Sequence, residues 1–495
     1  MGQKISIIKR EANTWLKKQL KKNNLVFAKS DIKKSILVFL TQEQILAELN
    51  NHFVFIKSNQ ELTSTAFMNN FWPLVLQYLN RAFDNKWYFT GHYAYNFAVS
   101  QLSTPLKQIT ISTQKKSNTI IDLPAGVQII ASYDMNFDKK PLVATTLMDT
   151  GFYQVRPEYL VIHSTENEYR TYQNEIISLL KDSEKNDKFF IDFFTENNSP
   201  VLLARLIGAL RAIEDIGLRI ELESLLKLTG AKVAIRNPFR GLTLTQSIER
   251  PSYLNRFEIS MLKAISVLKT LKKPRRLPKK ISAKALDELI VEDTYHSLTI
   301  EGYTVTRVLL EFLKNKPMTT NLDEMDLKSQ VAAKGFMGTL GYIKKLISSS
   351  YTINEKLSKK LFEELWKPSY NAGLIKEGFD IYRKHMVSLK GSHYVPPAHE
   401  KIPYLVDEIF EMALEIKNGF DLGIFLHYFY VSVHPHSDGN GRMSRFLMNL
   451  AFIKDRYPWI TIPSQEKLNY FKALEKSQLS DDISFFAEYI RSRFA

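Results

Sequence analysis

Cysteine is absent from the 495-residue chain, which excludes disulfides, thiol nucleophiles and thiolate metal sites together. Glycine and proline number only 19 and 18 and are scattered, so collagen-like and low-complexity classes are excluded as well. Long apolar runs are also missing: the stretch Ile424–Val433 is short and contains His427, and the sequence predicts no membrane-spanning helix. The N-terminus lacks the apolar core of a secretion signal, which predicts cytoplasmic residence. With 44% hydrophobic and 24% charged residues, the chain is predicted to be globular and multidomain. In the absence of cysteine, His, Asp and Glu are the expected catalytic or metal-binding residues.

Positive charge is concentrated in two segments. The chain has 67 Lys and Arg against 52 Asp and Glu, a net charge of +15. Residues 1–34 hold ten basic and two acidic residues, and residues 251–284 hold ten and one, whereas the rest of the chain is close to neutral. Local basicity of this kind is typical of a contact with a polyanion such as nucleic acid, and equally of a solvated helix face followed by a solvated linker.

Residues 1–58 have the pattern of a winged-helix DNA-binding domain. A basic amphipathic helix is followed by a second helix that opens at 26–31, a third near Gln42–Leu49 and a strand at His52–Lys57. Three short amphipathic helices at a terminus also occur without any role in DNA binding. If the segment binds DNA, the third helix enters the major groove and phosphates are contacted by Lys17, Lys18, Lys21 and Lys22.

Residues 59–240 mix strand and helix patterns, which predicts an α+β domain. Strands are expected at Leu106–Thr113 and Gly126–Ser132, and helices at Glu175–Leu180 and Pro200–Leu210. Together with the run Trp87–Ala94, this half resembles the antitoxin of the abortive-infection type IV toxin–antitoxin systems. The resemblance implies an N-terminal winged helix that binds its own promoter.

Residues 241–284 are expected to form a leading helix and a basic linker. Six of the eleven residues from Thr270 to Lys280 are basic, and two prolines interrupt any continuous helix, so this stretch reads as an exposed connection. Residues 285–495 then predict an all-α domain, broken only by a hairpin-like stretch at Val387–Val395. The expected helices are 285–301, 327–346, 357–366, 402–415, 420–433, 441–452 and 465–476.

The segment His434–Arg445 has the pattern of a phosphate-binding turn. An apolar helix ends at Pro435, and Gly439–Gly441 opens the next helix. Glycines at a helix start let backbone N–H groups approach an anion closely, and the helix N-terminus adds partial positive charge. This segment therefore predicts a phosphate cradle.

Four side chains beside this cradle have matching chemistry. Arg442 and Arg445 lie three residues apart on the first helical turn and suit forked contacts with phosphate oxygens. Asp438 is a hard oxygen ligand placed for Mg²⁺, and His434 can accept a proton near neutral pH. The combination indicates nucleotidyl or phosphoryl transfer.

The run HPHSDGNGRMSR at 434–445 resembles the Fic (filamentation induced by cAMP) motif, H-P-F-x-D-G-N-G-R-x-x-R, with His436 in place of Phe. The resemblance spans roughly residues 250–495 and implies a protein adenylyltransferase that uses ATP and Mg²⁺. His434 would deprotonate a Ser, Thr or Tyr hydroxyl of a target protein, which attacks the α-phosphate of ATP. Asp438 would hold Mg²⁺, and the nucleotide would be held by Gly439, Asn440, Gly441, Arg442 and Arg445. The sequence Gly439-Asn440-Gly441 differs from that of the Doc-type kinase variant, which has Lys near the second glycine. The resemblance therefore favours AMP transfer over phosphate transfer.

A second element lies upstream, at Ser297–Gly302. Ser297 and Glu301 share one helix face and Gly302 suits a helix C-cap, which alone is an ordinary helix end. Beside the Fic motif, the element resembles that family's inhibitory helix. The resemblance implies that Glu301 pairs with Arg445 and makes ATP bind unproductively.

The hairpin-like stretch Met386–Tyr394 is either a structural ribbon or an edge strand that captures an extended target segment. The Fic resemblance favours the second and implies a target-docking flap that includes Val387, Leu389 and Val395.

Several alternatives remain open from the sequence. His434, His436 and Asp438 could be alternating ligands of a metal hydrolase site. The chain could be a DNA-binding regulator whose Fic core is a sensor, or it could remove AMP through a water positioned by Glu301. The expected partners are a protein substrate, possibly the chain itself, DNA at the N-terminal region and a second copy in a homodimer, with no membrane.

Overall fold

The structure is a computed structural model of the chain. It describes residues 2–494 except 23, 57–70, 102, 104–106, 117, 124–125, 148–149, 241–249, 315–326, 376–381 and 390. Two compact units are present, Met1–Arg256 with Ser388–Val395, and Phe257–Val387 with Pro396–Ala495. Across the described ranges, no helix has the length and apolar character needed to cross a bilayer.

The N-terminal part of the first unit packs two helices on a small sheet. Its elements are α1 (Gly2–Lys21), β1 (Val26–Ala28), α2 (Lys34–Gln42), β2 (Leu46–Glu48) and β3 (Phe53–Ile56). The strands are antiparallel in the order β1-β3-β2. Ala12, Phe27, Ile36, Leu40 and Val54 form the buried core between the helices and the sheet.

The third helix predicted near Gln42–Leu49 is wrong, because β2 occupies this stretch. The helix α2 ends at Gln42, and Gln44 adopts a left-handed backbone (φ 55°). Asn50 Oδ1 then accepts the backbone N–H groups of His52 and Phe53 at 2.9 and 3.0 Å, which closes a β2–β3 hairpin. The predicted second helix also begins later than expected, since 26–28 is a strand. The strand expected at His52–Lys57 is β3, and Lys57 lies outside the described residues.

The predicted α+β region is confirmed by a four-stranded mixed sheet. Its order is β4-β5-β7-β6, with β5 and β7 parallel and the other pairs antiparallel. A separate antiparallel hairpin, β8–β9, follows. The elements are α3 (Phe71–Ala82), β4 (Trp87–Phe89), α4 (His92–Ala98), β5 (Gln108–Thr113), β6 (Thr119–Asp122), β7 (Gln128–Tyr133), β8 (Leu142–Leu147) and β9 (Thr150–Val155). Both expected strands are present as β5 and β7, although Leu106 lies outside the described residues.

Helices complete the first unit. They are α5 (Pro157–His163), α6 (Glu166–Thr171), α7 (Gln173–Leu180), α8 (Asp187–Glu196), α9 (Pro200–Ala212) and α10 (Gly217–Leu228). The two helices expected in this region are confirmed as α7 and α9.

The second unit is helical, as predicted for residues 285–495. Its helices are α11, which begins at the boundary of the units (Ser252–Thr270), α12 (Ala283–Glu301), α13 (Arg307–Lys314), α14 (Leu327–Leu346), α15 (Glu355–Asn371), α16 (Ile402–Ala413), α17 (Gly419–Val433), α18 (Asn440–Lys454), α19 (Lys467–Ser480) and α20 (Ser484–Arg491). All seven expected helices are confirmed within a few residues at their ends, whereas α13 and α20 were not predicted. The helices α17 and α18 are buried almost all round and form the centre of the unit.

The basic stretch after α11 is not a free linker. Lys273 Nζ lies 2.7 Å from Asp421 Oδ1, and Arg276 Nη2 lies 2.6 Å from Asp455 Oδ2. The Leu277 backbone N–H donates to the carbonyl oxygen of Arg456 at 2.6 Å. The Asp421 carboxylate is almost fully buried, and a buried charge needs a partner of opposite sign. Part of the local positive charge is therefore used inside the second unit.

Candidate active site

The loop 434–439 connects the end of α17 to the start of α18. His434 caps α17 in a left-handed conformation (φ 53°, ψ 59°), and Gly439 precedes α18 with φ 89°. A non-glycine residue in this region costs on the order of 1 kcal/mol or more and needs support from its surroundings. Buried Arg383 supplies the support, because its Nε donates to the His434 carbonyl oxygen at 2.7 Å and its backbone N–H donates to that of Pro435 at 2.9 Å.

Asn440 closes the loop from the other side. Its Oδ1 accepts the His436 backbone N–H at 2.9 Å, and its Nδ2 donates to the His436 carbonyl oxygen at 2.7 Å. The Asn440 side chain therefore holds the shape of the loop, and only its backbone can take part in the phosphate cradle that the sequence predicted.

His436 packs under the loop. Its ring stacks on Phe362 with centroids 3.7 Å apart and planes at 13°, and its Nε2 lies 2.9 Å from the Tyr430 hydroxyl. The Ser358 hydroxyl bonds the same tyrosine at 3.0 Å. The ring is thus held in the core, and within the described residues no group of three or more His, Asp and Glu side chains is arranged to hold a metal ion. The structure therefore places the His436 ring against Phe362 and Tyr430 and not beside His434 and Asp438 as a ligand of a shared metal ion.

His434 is held as a neutral base. Its Nδ1 lies 3.4 Å from the Val431 carbonyl oxygen, and since a carbonyl only accepts, Nδ1 carries the proton and Nε2 remains an acceptor. Burial, aided by the positive charge of Arg383, lowers the pKa of His434 to about 4, although the Val431 carbonyl, Glu301 and Asp438 act in the opposite direction. At neutral pH the ring is therefore uncharged and able to accept a proton.

The predicted partner of Arg445 is in place. Arg445 Nη2 lies 2.8 Å from Glu301 Oε1, and its Nε donates to the Ser297 hydroxyl at 3.2 Å. Gly302 ends α12 in the left-handed conformation expected of a C-cap. A Cβ at Gly441 would lie 2.5 Å from Glu301 Oε1, so the glycine makes room for this carboxylate at the start of α18. The structure thus brings Ser297, Glu301 and Arg445 together, as the resemblance to the inhibitory helix implied.

Asp438 and Arg442 form a second ion pair. Two aromatic residues that the motif does not include, Tyr303 and Trp366, lie beside it. Arg442 Nη2 lies 3.1 Å from Asp438 Oδ1, and the Arg442 guanidinium lies 5.2 and 5.0 Å from the ring centroids of Tyr303 and Trp366. The Tyr303 hydroxyl also lies 3.3 Å from Asp438 Oδ2. Tyr303 directly follows Gly302 and could have been noticed for that reason, whereas no sequence signal points to Trp366.

The residues present fit a bound nucleotide and cation. Three buried donors at this site have no hydrogen-bond partner among the described residues: Arg445 Nη1, Arg442 Nε and Trp366 Nε1. The Asp438 side chain is about half exposed, at 49%, and is therefore open to a ligand. A single carboxylate binds Mg²⁺ mainly together with phosphate oxygens and water, which agrees with a cation that arrives with ATP.

The predicted flap does not form a hairpin of paired strands in its described residues. Val387 and Leu389 are partly buried and Val395 is buried, but residues 382–389 and 391–393 contain no strand, and Lys390 lies outside the described part. Tyr394 forms an isolated antiparallel bridge with Ser103 within the first unit. The edge needed for target capture is therefore not preformed as a regular strand.

Comparison with known proteins shows which family the motif belongs to. The sequence model of the Fic/DOC family matches residues 352–452, which include the loop 434–439 and most of α18. This part of the chain is therefore similar to a Fic/DOC domain. Glu301 and Tyr303 lie before the matched range and are contributed by α12 and the turn that follows it.

The chain is also similar to named proteins, but only over part of its length. Proteins named protein adenylyltransferase Fic from Drosophila persimilis and from Aedes aegypti are each 27% identical over 212 residues, 42% of this chain and 40% of the relative. The match thus spans about two fifths of the length of these curated relatives. A Fic domain containing signaling protein from Bacteroides thetaiotaomicron is similar in structure, with 23% identity, a TM-score of 0.37, and coverage of 48% of this chain and 92% of that one.

Proposed function

We propose that the chain is a protein adenylyltransferase, which transfers AMP from ATP to a Ser, Thr or Tyr hydroxyl of a target protein. The observation that carries this proposal is the convergence of a neutral His434 and a half-exposed Asp438 with the Arg445 guanidinium at the start of α18. The Fic/DOC match over residues 352–452 and the naming of the relatives support the same reaction.

The proposed reaction assigns each motif residue a step. His434 Nε2 accepts the proton of the target hydroxyl, whose oxygen attacks the α-phosphorus of ATP. The bond from the α-phosphorus to the bridging oxygen breaks, pyrophosphate leaves, and AMP remains on the target as a phosphodiester. The backbone N–H groups of Asn440 and Gly441 and the dipole of α18 stabilise the negative charge, and Arg442 and Arg445 hold the phosphates, while the Gly439 N–H donates to Asp438.

A divalent cation belongs to the same proposal. Asp438 would hold Mg²⁺, which when bound neutralises part of the charge on the phosphates. The buried donors without partners on Arg442, Arg445 and Trp366 are suited to the phosphate and ribose oxygens that a nucleotide would bring.

We further propose that Glu301 inhibits this reaction. Its carboxylate occupies Arg445 Nη2, which would otherwise bind a phosphate oxygen, and its Oε1 lies against Gly441 in the cradle itself. A carboxylate in this position repels the terminal phosphate of ATP and keeps the nucleotide from its productive position.

The test is incubation of wild type and Glu301→Gly with labelled ATP and Mg²⁺, followed by detection of label on any protein, including the enzyme. We expect the variant to label more strongly, because Arg445 is released. Glu288→Gly is the matched control, since Glu288 is exposed on the same helix and the substitution has the same effect on helix propensity. Equal labelling by wild type and Glu301→Gly would contradict the inhibitory role. Loss of existing label from a modified target would instead favour AMP removal as the reaction of the wild-type protein.

A second candidate function is DNA binding by the N-terminal part of the first unit. The order helix, strand, helix, strand, strand with sheet order β1-β3-β2 supports a winged-helix assignment. With no helix at 42–49, α2 becomes the candidate to enter the major groove. It presents Lys34, Val38 and Thr41 to solvent at positions i, i+4 and i+7, on the side opposite its buried residues Ile36 and Leu40.

The exposure of the four lysines predicted to contact phosphates supports this proposal. Lys17, Lys18, Lys21 and Lys22 are all exposed at the C-terminal end of α1. Lys33 and Lys29 are paired instead with Glu11 and Glu48, at 2.8 and 2.7 Å. The free positive charge therefore lies on α1 more than on the residues between α1 and α2.

A further inference from the structure

The turn that ends α12 places Tyr303 against the carboxylate and the first arginine of the motif. Gly302 is left-handed (φ 87°), and the Tyr303 backbone N–H donates to the Leu298 carbonyl oxygen at 3.0 Å, which reverses the chain. The Tyr303 hydroxyl then lies 3.3 Å from Asp438 Oδ2 and 3.4 Å from Arg442 Nη2. The AMP-transfer chemistry described above gives this hydroxyl no role.

The two oxygens of Asp438 have different partners. Oδ1 accepts the Gly439 backbone N–H at 2.5 Å and lies 3.1 Å from Arg442 Nη2, whereas the donor to Oδ2 in the described residues is the Tyr303 hydroxyl. A long hydrogen bond from a neutral hydroxyl is weaker than bonds from a guanidinium or a nearby backbone N–H. A divalent cation that binds Oδ2 therefore displaces a weaker hydrogen bond than one that binds Oδ1.

The position of the Tyr303 ring does not depend on its hydroxyl. The ring packs against the Arg442 guanidinium, 5.2 Å from its centroid, and Lys328 Nζ lies 5.7 Å from the same centroid. The next residue is also anchored, because the Thr304 backbone N–H donates to the Ser329 hydroxyl at 3.2 Å. A phenylalanine at this position would keep these contacts and lose only the contacts of the hydroxyl.

We propose that the Tyr303 hydroxyl competes with a divalent cation for Asp438 Oδ2, so that the turn after α12 restrains the cation-binding carboxylate while Glu301 restrains Arg445. This inference rests on the proposed function, in which Asp438 binds the cation that accompanies ATP. Glu301 and Tyr303 are two residues apart and act on different parts of one site. Cation binding and docking of the end of α12 therefore oppose each other, and by linkage each weakens the other to the same extent.

The test measures Mn²⁺ binding to the full-length protein in the presence of a non-hydrolysable ATP analogue, by electron paramagnetic resonance. We expect Tyr303→Phe to bind Mn²⁺ about 3–10-fold more tightly, the effect of releasing one neutral hydrogen bond. Tyr351→Phe is the matched control, because the Tyr351 hydroxyl donates to the Leu450 carbonyl oxygen at 3.0 Å in the same unit and contacts no residue of the site. Its Mn²⁺ affinity should equal that of wild type.

Unchanged Mn²⁺ binding by Tyr303→Phe would overturn the proposal, as would an absence of Mn²⁺ binding by every variant. Weaker binding would also overturn it and would make the hydroxyl a support for the carboxylate. Tyr303→Met removes the same hydroxyl with a flexible side chain and serves as a second variant if melting curves show that Tyr303→Phe is not folded. Failure of the proposed function is seen separately, as an absence of AMP transfer by Glu301→Gly, because the binding measurement requires no turnover.

Discussion

At the scale of single residues, His436 is the departure of this chain from the Fic motif, and its surroundings explain how it is tolerated. The ring fills the place of an aromatic side chain by stacking on Phe362, and the Tyr430 hydroxyl satisfies its Nε2. Tyr430 also has Ser358 as a partner. The pocket below the loop is therefore built for a flat ring, and its polar contact is secondary.

His436→Phe should consequently retain AMP transfer in a Glu301→Gly background. We expect its free energy of unfolding to stay within about 1.5 kcal/mol of the parent, because one buried hydrogen bond is exchanged for apolar contact. His436→Ala should lose more, about 2–4 kcal/mol, since it leaves a cavity under the loop. Denaturant unfolding and labelling assays measure both effects. A His436→Phe variant that folds but is inactive would show that the histidine contributes to the chemistry.

His434→Ala, also in the Glu301→Gly background, should reduce AMP transfer by about 10²–10⁴-fold while nucleotide affinity changes little. The substitution removes the base and leaves the cradle at the start of α18. Rate assays and calorimetric nucleotide titration separate these two outcomes. Near-wild-type activity would exclude His434 as the base.

The pH dependence of kcat/KM should follow the same residue. Burial lowers the pKa of His434 to about 4, and the base must be neutral, so kcat/KM should be nearly constant between pH 8 and 6 and fall only as pH approaches about 4. Circular dichroism at each pH is needed to separate this fall from unfolding. An acid limb centred near the ordinary histidine value of about 6.5 would contradict the buried, neutral ring.

At the scale of elements, α12 carries the Glu301 carboxylate at its end and the buried carboxyl group of Asp293 near its middle. Burial raises the pKa of Asp293 to about 6, although its Oδ1 accepts a hydrogen bond from the Thr461 hydroxyl at 2.7 Å. Because the folded-state pKa lies above the unfolded value, the stabilising contribution is present below the unfolded pKa of 3.8 and is lost as pH rises through about 6. At neutral pH the ionised group therefore weakens the packing of α12.

Asp293→Asn should raise the free energy of unfolding at pH 7.5, by up to about 3 kcal/mol from a shift of this size, and by only about a third as much at pH 4.5, where the folded state keeps the carboxyl protonated. Asn keeps an oxygen that can accept the Thr461 hydrogen bond. Asp287→Asn is the control on the same helix, since a hydrogen bond from Lys344 lowers the pKa of Asp287 and its neutralisation should slightly destabilise the protein at pH 7.5. Thermal melts at the two pH values measure both. A loss of stability in Asp293→Asn at pH 7.5 would be the opposite of this expectation.

At the scale of the whole molecule, the two units have different distributions of free positive charge. In the second unit, Lys273 and Arg276 of the basic stretch are paired with Asp421 and Asp455. In the first unit, the lysines at the end of α1 are exposed. Part of the positive charge of the second unit's basic stretch is therefore used internally, whereas Lys272, Arg275, Lys279 and Lys280 remain exposed there.

Full-length protein should bind duplex DNA from its own promoter more tightly than a scrambled duplex, and the affinity should fall as salt concentration rises. Charge reversal of Lys17, Lys18, Lys21 and Lys22 to Glu should lower the slope of log K against log salt by about one unit for each lost phosphate contact. Charge reversal of the exposed Lys279 and Lys280 serves as the control in the second unit. Fluorescence anisotropy at two salt concentrations provides the measurement. Equal, weak binding to both duplexes would leave nonspecific electrostatics alone, and no binding at low salt would refute DNA binding.

The sequence by itself determined the features that depend on neighbours along the chain. Helix periodicity located the seven predicted helices of residues 285–495, and the consecutive residues His434–Arg445 identified the Fic motif because its chemistry is built by one loop and one helix turn. The same local reasoning went wrong at Gln42–Leu49, where helix periodicity and strand pattern overlap in a short apolar segment. There, hairpin pairing with β3 decided the outcome.

Only the tertiary structure decided which distant residues complete the site. The Tyr303 hydroxyl and Asp438 are separated by 135 positions, and Arg383 reaches the His434 carbonyl across 51. Such pairs leave no periodic trace in the sequence, because each residue is individually compatible with many neighbours and packing alone selects one. The same holds for the basic stretch after α11, whose composition suggested an exposed linker until the buried charge of Asp421 showed why Lys273 must lie against it.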